Sequence, residues 1–357
     1  MSDKHRLLHT PVEPFTIEPH ASAEQVLDRM RGISFQGRNL ATAHDVWRKM
    51  LADDCVIFLG VAGALSAGGL RLVIAQLITQ RFVDCVVSTG ANLYHDLHEC
   101  RGRRHFQGSP ATDDRALQAA HIDRVYDTLM DEEEFIENDN WIAAFASTLD
   151  PRPYTSREFL HRLGGHLWSD TGRDGILTAA HRANVPIFCP AIADSSIGMG
   201  LSQARQEASG AGHVDVIGDI IESANIVIRK RRTASVVLGG GTPKNFINQA
   251  SVQAEFYSEG IGGHQYAMQI VTDVPHFGGA SGSTLDEAQS WGKVAAGADQ
   301  VTVNVDATVA LPFLTTALAS TSADICADRR HATFDLSGRT IVLDGKALPD
   351  GRFETSA

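Results

Sequence analysis

From about residue 55 to about residue 310 the chain repeats one pattern: a short apolar run, a few small or polar residues, then apolar positions at helical spacing. The runs lie in "CVIFLGVAGALSAGG", "DCVVSTGAN", "VPIFCPAIADSSIG", "ASVVLGGGTPKN", "YAMQIVTD" and "QVTVNVDAT". All six are apolar throughout rather than alternating, as in strands buried on both faces. The stretch "LRLVIAQLITQRF" (70–82) reads as the helix after the first run, and each later run also precedes a helical pattern. Strands separated by helices imply parallel βαβ units with right-handed crossovers. The predicted fold is α/β, an open, doubly wound parallel sheet with helices on both faces.

The rhythm lapses between about 101 and 172. There "EEEFIENDNWIAAFAS" and "SREFLHRLGGHLW" predict a helical insertion over one side. Residues 1–34 read as an arm with Pro11, Pro14 and Pro19 followed by a short helix from about Ala23. Residues 35–331 form the predicted main domain. The tail, 332–357, carries one β-like run, "TIVLDG", and then becomes polar.

Composition narrows the function classes. A hydrophobic share of 43% and a charged share of 21% are ordinary for a soluble domain. Neither a membrane-length apolar stretch nor a secretory leader is evident, so a cytoplasmic protein is expected. The net charge of −12 argues against nucleic acid and suits cationic ligands. Cys55, Cys85, Cys100, Cys189 and Cys326 are odd in number and lack zinc spacing, which predicts free thiols and no structural metal. "HDLHE" (95–99) puts His95 and His98 at i, i+3, yet a third ligand at recognisable spacing is missing. Cys189 before Pro190 reads as a packed strand-end thiol rather than a nucleophile.

In open α/β sheets ligands bind beyond the carboxyl ends of the strands. The residues there (60–69, 89–92, 194–198, 239–241, Thr272 and Asp306) are rich in glycine, serine, threonine and aspartate. Glycines let a backbone approach a phosphate, and helix N-termini supply donors. A dinucleotide would suit this pattern, although the strict GxGxxG fingerprint is missing. Tight strand-to-helix turns would produce the same glycines.

Only six of the 31 basic residues are lysines. One of them, Lys293, ends "TLDEAQSWGK" after the glycine-rich "FGGASGS". Thr284 and Glu287 form a capping box at the start of a helix, a structural role for Glu287. A solvated position is the ordinary reading of Lys293, and Trp291 could be core. Unlike arginine, however, a desolvated lysine can give up its proton and form imines.

These segments together resemble the deoxyhypusine synthase family. "STGANLYHDLHE", "PAIADSSIG", "LGGGTPKN", "TDVPHFGGASGSTLDEAQSWGKV" and "VNVDATVALP" occur in the family's order from about Phe35 to Leu318. "HFQGSPATDD" and "HIDRVYDTLMDEEEF" look like its archaeal and bacterial branch. The resemblance implies a homotetramer of Rossmann-like, NAD-binding subunits with active sites between paired subunits. It implies aminobutyl transfer from spermidine through a lysine imine, with Lys293 as that lysine and Glu287 and Trp291 flanking the polyamine. Gly63, Ala64, Ala67, Thr89, Gly90, Ala91, Asp194, Gly240, Thr272, Asp306 and Ala307 would line the NAD site. His95, Asn245, Gly278, Gly279 and Ser281 would face the substrate.

The chain departs from the eukaryotic pattern at polyamine-recognition positions. His95 stands for a glutamate, Met199 and Ala280 for aspartates, and Asn245 for a histidine. Fewer carboxylates should reshape recognition of a triamine, each charged hydrogen bond contributing about 1.5–3 kcal/mol. The expected activity is therefore NAD-dependent aminobutyl transfer to a free amine such as putrescine, giving homospermidine. Modification of a protein lysine and a non-catalytic NAD- or polyamine-binding homologue are the alternatives.

Overall fold

The computed structural model describes residues 7–207, 212–321 and 323–349. The six apolar runs become six parallel strands of one sheet: β1 (Val56–Val61), β2 (Cys85–Ser88), β3 (Ile187–Phe188), β4 (Thr233–Leu238), β5 (His264–Ile270) and β6 (Val294–Val303). Their spatial order is 3-2-1-4-5-6, that of nucleotide-binding doubly wound sheets. Every residue of β1 and β4 is buried, which is why neither run alternates. Successive side chains serve opposite faces. Ile57, Leu59 and Val61 join a core with the helix Phe35–Ala52, whereas Val56 and Phe58 join a second core with the helix Gly241–Tyr257.

Helices Arg71–Thr79, Gly90–Cys100, Ser196–Glu207, Gly241–Tyr257 and Ala307–Thr321 follow β1, β2, β3, β4 and β6. The chain after β5 differs from expectation. Instead of a full helix, residues 271–284 form a loop with two 3-10 turns, and only the short helix Leu285–Ser290 precedes β6. Gly278, Gly279 and Pro275 hold that segment out of a continuous helix.

The insertion carries the two expected helices, Glu132–Ser147 and Ser156–Thr171. It also holds an unpredicted antiparallel ribbon, Phe106–Gln107, Ile122–Val125 and Thr128–Asp131. The tail likewise does more than trail into solvent. Ala332, Phe334, Leu336, Ile341, Leu343 and Leu348 close the second core, so residues 332–348 belong to the domain. Cys55, Cys85, Cys100 and Cys189 are buried free thiols. No helix among the described residues is long and apolar enough to cross a membrane.

Candidate active site

The strand order reverses between β1 and β4, and the loops leaving their carboxyl ends diverge there. A cleft of about 670 Å³ opens at this point. Nine of the anticipated residues line it: Gly63, Gly240, Thr272, Asp306, Ala307, Asn245, Gly278, Gly279 and Ser281. Gly240 has φ −155° and ψ −119°, and a Cβ there would lie 3.1 Å from the Ala280 carbonyl carbon. Backbone thus meets backbone across the cleft, leaving amide groups as its walls.

The loop after β1 is held from beneath by Asn92, which is fully buried. Its amide donates to the carbonyls of Val61, Ala62 and Gly63 at 3.3, 3.2 and 3.0 Å and to the Thr89 hydroxyl at 2.9 Å. Its oxygen accepts the Ser66 N–H at 3.0 Å, and the Thr89 hydroxyl donates to the Gly63 carbonyl at 2.7 Å. Thr89 therefore positions the cleft loop without lining the cleft. Gly90 has a packing reason: a Cβ would lie 2.3 Å from Ser195 Oγ. Ala64, Ala67, Ala91 and Asp194 are also absent from the lining.

Opposite stands Asp306, whose carboxylate accepts the Thr308 N–H at 2.7 Å and the Thr308 hydroxyl at 2.6 Å. Those bonds hold it below the usual carboxylate range. The far wall is the 271–284 loop. Asp273 accepts the Ala280 and Val274 N–H groups at 2.7 and 2.9 Å, and Ser281 donates to the Gly241 carbonyl at 2.9 Å. Ala280 and Ser281 sit at φ 50° and 64°, a strained pair for residues with a Cβ.

Lys244 is the functional candidate that sequence reasoning missed. Fully buried, its ammonium donates to the carbonyls of Ala280 at 2.8 Å and Ser283 at 2.6 Å, tying the loop to the helix Gly241–Tyr257. Burial, and secondarily the charge of Lys293, push its pKa down to about 8. Its signal was available: a lysine inside "GGGTPKN" in a chain of six lysines.

Lys293 itself does not line the cleft. It occupies the turn between the helix Leu285–Ser290 and β6, at the amino end of that strand. Gly292 makes the turn at φ 68°, and the Lys293 amine lies 5.2 Å from the centroid of the exposed Trp291 ring. The expected capping box is present. Thr284 Oγ1 accepts the Glu287 N–H at 3.0 Å, and Glu287 accepts the Thr284 N–H at 2.6 Å. Glu287 and Trp291, both exposed, and the half-buried Lys293 thus form a group beside the buried Lys244.

His95 lies in a separate cluster on the helix Gly90–Cys100. Its Nδ1 is 2.8 Å from His105 Nε2, and His105 Nδ1 is 2.7 Å from Glu99 Oε1. Burial, then the neighbouring imidazoles, push His95 and His98 down to about 4. Met199, by contrast, is exposed. Among the described residues no group of three His, Cys, Asp or Glu is arranged to hold a metal ion.

Comparison with known proteins agrees with this geometry. The family model for deoxyhypusine synthase matches residues 25–318. A Methanosarcina acetivorans protein named "Probable deoxyhypusine synthase 2" is 44% identical over 319 residues, covering 89% of this chain and 92% of the relative. A Coxiella burnetii "Deoxyhypusine synthase-like protein" is 41% identical over 317 residues, covering 87% and 89%. An Entamoeba histolytica crystal structure carrying the deoxyhypusine synthase name superposes with a TM-score of 0.59 at 18% identity, over 87% of this chain and 97% of that one. At that identity it speaks for the fold.

Proposed function

The chain belongs to the deoxyhypusine synthase family, and from that premise we propose that it is an NAD-dependent aminobutyl transferase of polyamine metabolism. The observation that carries the reading is the backbone-walled cleft at the β1–β4 switch point, whose 271–284 wall is pinned by the Lys244 amine, with Lys293 near enough to lower that amine's pKa. Its volume of about 670 Å³ and its Gly63, Gly240 and Asp306 walls fit a dinucleotide. Amide groups at 63 and 240 would meet the pyrophosphate, and Asp306 would accept ribose hydroxyls. When bound, NAD supplies a hydride acceptor for the donor amine and a hydride donor at the end of the cycle.

The chain's own part is to hold amines. Lys293 Nζ would form a C–N bond to the oxidised carbon of the aminobutyl group as the diaminopropane amine leaves, and would yield that carbon to the acceptor amine. Trp291 would lie against the alkylammonium stem, and Glu287 would offer a carboxylate beside it. Lys244 would act at a distance, pinning the Ala280–Ser283 turn so that substrate and cofactor share one frame. A homotetramer, with Lys293 of one subunit serving a cleft closed by another, completes the proposal. Support comes from the exposure of Phe277, Trp291 and Met199, large apolar groups suited to being covered by another subunit.

The thinner carboxylate complement, with His95, Met199, Asn245 and Ala280 at recognition positions, favours a small free amine such as putrescine as acceptor. A second reading, transfer to a protein lysine, is favoured by the name of the Methanosarcina relative. Incubation with NAD, spermidine and putrescine should yield homospermidine and diaminopropane by chromatography. Borohydride should trap a labelled butyl group on the wild type and not on Lys293→Ala. Turnover by Lys293→Ala at the wild-type rate would remove the lysine from the mechanism. Release of diaminopropane only when a lysine-bearing acceptor protein is present would select the second reading.

A further inference from the structure

A second polar cavity, of about 450 Å³, lies apart from the cleft on the side of the insertion. Glu99, Gly102, Arg103, Arg104, His105 and Arg173 line it. Three guanidiniums therefore face one carboxylate, in a chain whose net charge is −12. The carboxylate is already engaged: Glu99 holds His105 Nδ1 at 2.7 Å and lies 3.7 Å from Arg71 Nε. Arg103 is fixed by the Glu134 carbonyl, by Asn138 Oδ1 at 2.7 Å and by Glu137.

The remaining two differ. Neither the Arg104 nor the Arg173 guanidinium makes a hydrogen bond or ion pair with any described residue. Like charges gathered in a concave site repel one another unless something neutralises them. The backbone also makes room for one of them. Gly102 sits at φ 92°, and a Cβ there would lie 2.5 Å from Arg173 Nη1, so only glycine lets that guanidinium lie over the turn. His105, which lines the same cavity, is held rigidly, both ring nitrogens being engaged, by Glu99 and by His95.

We propose that this cavity binds a small polyanion with two or more clustered oxyanion groups, received by the paired forks of Arg104 and Arg173. A guanidinium presents parallel N–H groups at the spacing of two phosphate or carboxylate oxygens. Two forks in one cavity suit a ligand bearing two such groups. A cavity of about 450 Å³ has space for one.

Calorimetric titration of the full chain, at constant ionic strength set with chloride, tests the proposal with inorganic pyrophosphate and citrate as probes. Saturable binding of either is expected, and pyrophosphate alone or citrate alone identifies the phosphate or the carboxylate class. Arg104→Ala/Arg173→Ala should weaken that binding at least about tenfold, the loss of charge-assisted hydrogen bonds. Both side chains are exposed and unpaired, so the variant should keep the wild-type melting temperature without anion. Gly102→Ala, which displaces the Arg173 fork, should weaken binding in the same direction. Equal affinity in the double variant would place any anion elsewhere, including the dinucleotide cleft, and overturn the proposal. So would an absence of saturable binding, or a change of oligomeric state in the double variant without anion binding, which would assign the cavity to a carboxylate of a second copy.

Discussion

Replacing Lys244 by methionine removes an amine while keeping most of the stem, and its effect can be worked from the site. The side chain is fully buried, and its pKa falls from 10.5 to about 8, first through desolvation and then through Lys293. A group depressed in the folded state binds fewer protons there than in the unfolded chain between those two values. Stability therefore rises with pH from about 8 to 10.5, and below 8 the penalty is fully in force. At about 1.4 kcal/mol per pKa unit, the rise amounts to about 3 kcal/mol. The Lys244→Met variant has no such proton to lose, although it leaves the carbonyls of Ala280 and Ser283 without this donor. Urea denaturation of both proteins across that window should show the wild type gaining about 3 kcal/mol relative to Lys244→Met. Repeating the pair in a Lys293→Met background should raise the lower edge of the window and shrink the gain, because one of the two causes of the depression is gone. A stability difference that stays flat from pH 8 to 10.5 would refute the buried-amine account. An unmoved window in the second pair would refute the coupling between the two lysines.

Further outcomes follow from other sites. Asp219 is buried, and desolvation lifts its pKa from 3.8 to about 8. The native state then holds a proton that the unfolded chain releases, so stability falls as pH rises from about 4 to about 8, and Asp219→Asn should flatten that fall in pH-dependent melting curves. Gly90→Ala forces a Cβ to 2.3 Å from Ser195 Oγ and should lower the melting temperature, with NAD affinity falling by isothermal titration as the β2 turn shifts. Gly292→Ala places a side chain at φ 68° and should cost about 1 kcal/mol by urea melt, with loss of borohydride trapping at Lys293. Thr284→Ala removes the cap of the helix Leu285–Ser290 and should cost about 1 kcal/mol in the same assay.

The sheet was legible because burial on both faces leaves an unmistakable trace: β1 and β4 are unbroken apolar runs, and buried they are. The cleft was legible because a tight strand-to-helix turn, and a close approach of backbone to backbone, have little choice but glycine, as at 63 and 240. Elsewhere local pattern misleads. The apolar run puts the start of β6 at Gln300, but the strand begins at Val294 and pairs with His264 across a register shift, and its half-exposed "VAAGADQ" carries no apolar signature. That shift is what puts Lys293 at the amino end of a strand rather than in a helix. The ribbon at 106–131 escapes notice because its strands are only two to four residues long and mostly unburied. Lys244 gives no local sign of its burial, which depends on the 271–284 loop folding over it, a contact that lies 36 residues away along the chain.

Asn92 gives the cleft one more property. A single buried amide group holds three consecutive carbonyls, a hydroxyl and a backbone N–H in place before any ligand arrives. The entropy of ordering that loop is therefore spent during folding, and a ligand meets a finished surface rather than one it must organise. Recognition at this wall should be closer to lock-and-key than to induced fit, leaving whatever closing motion the molecule has to the strained turn at Ala280 and Ser281 on the other side.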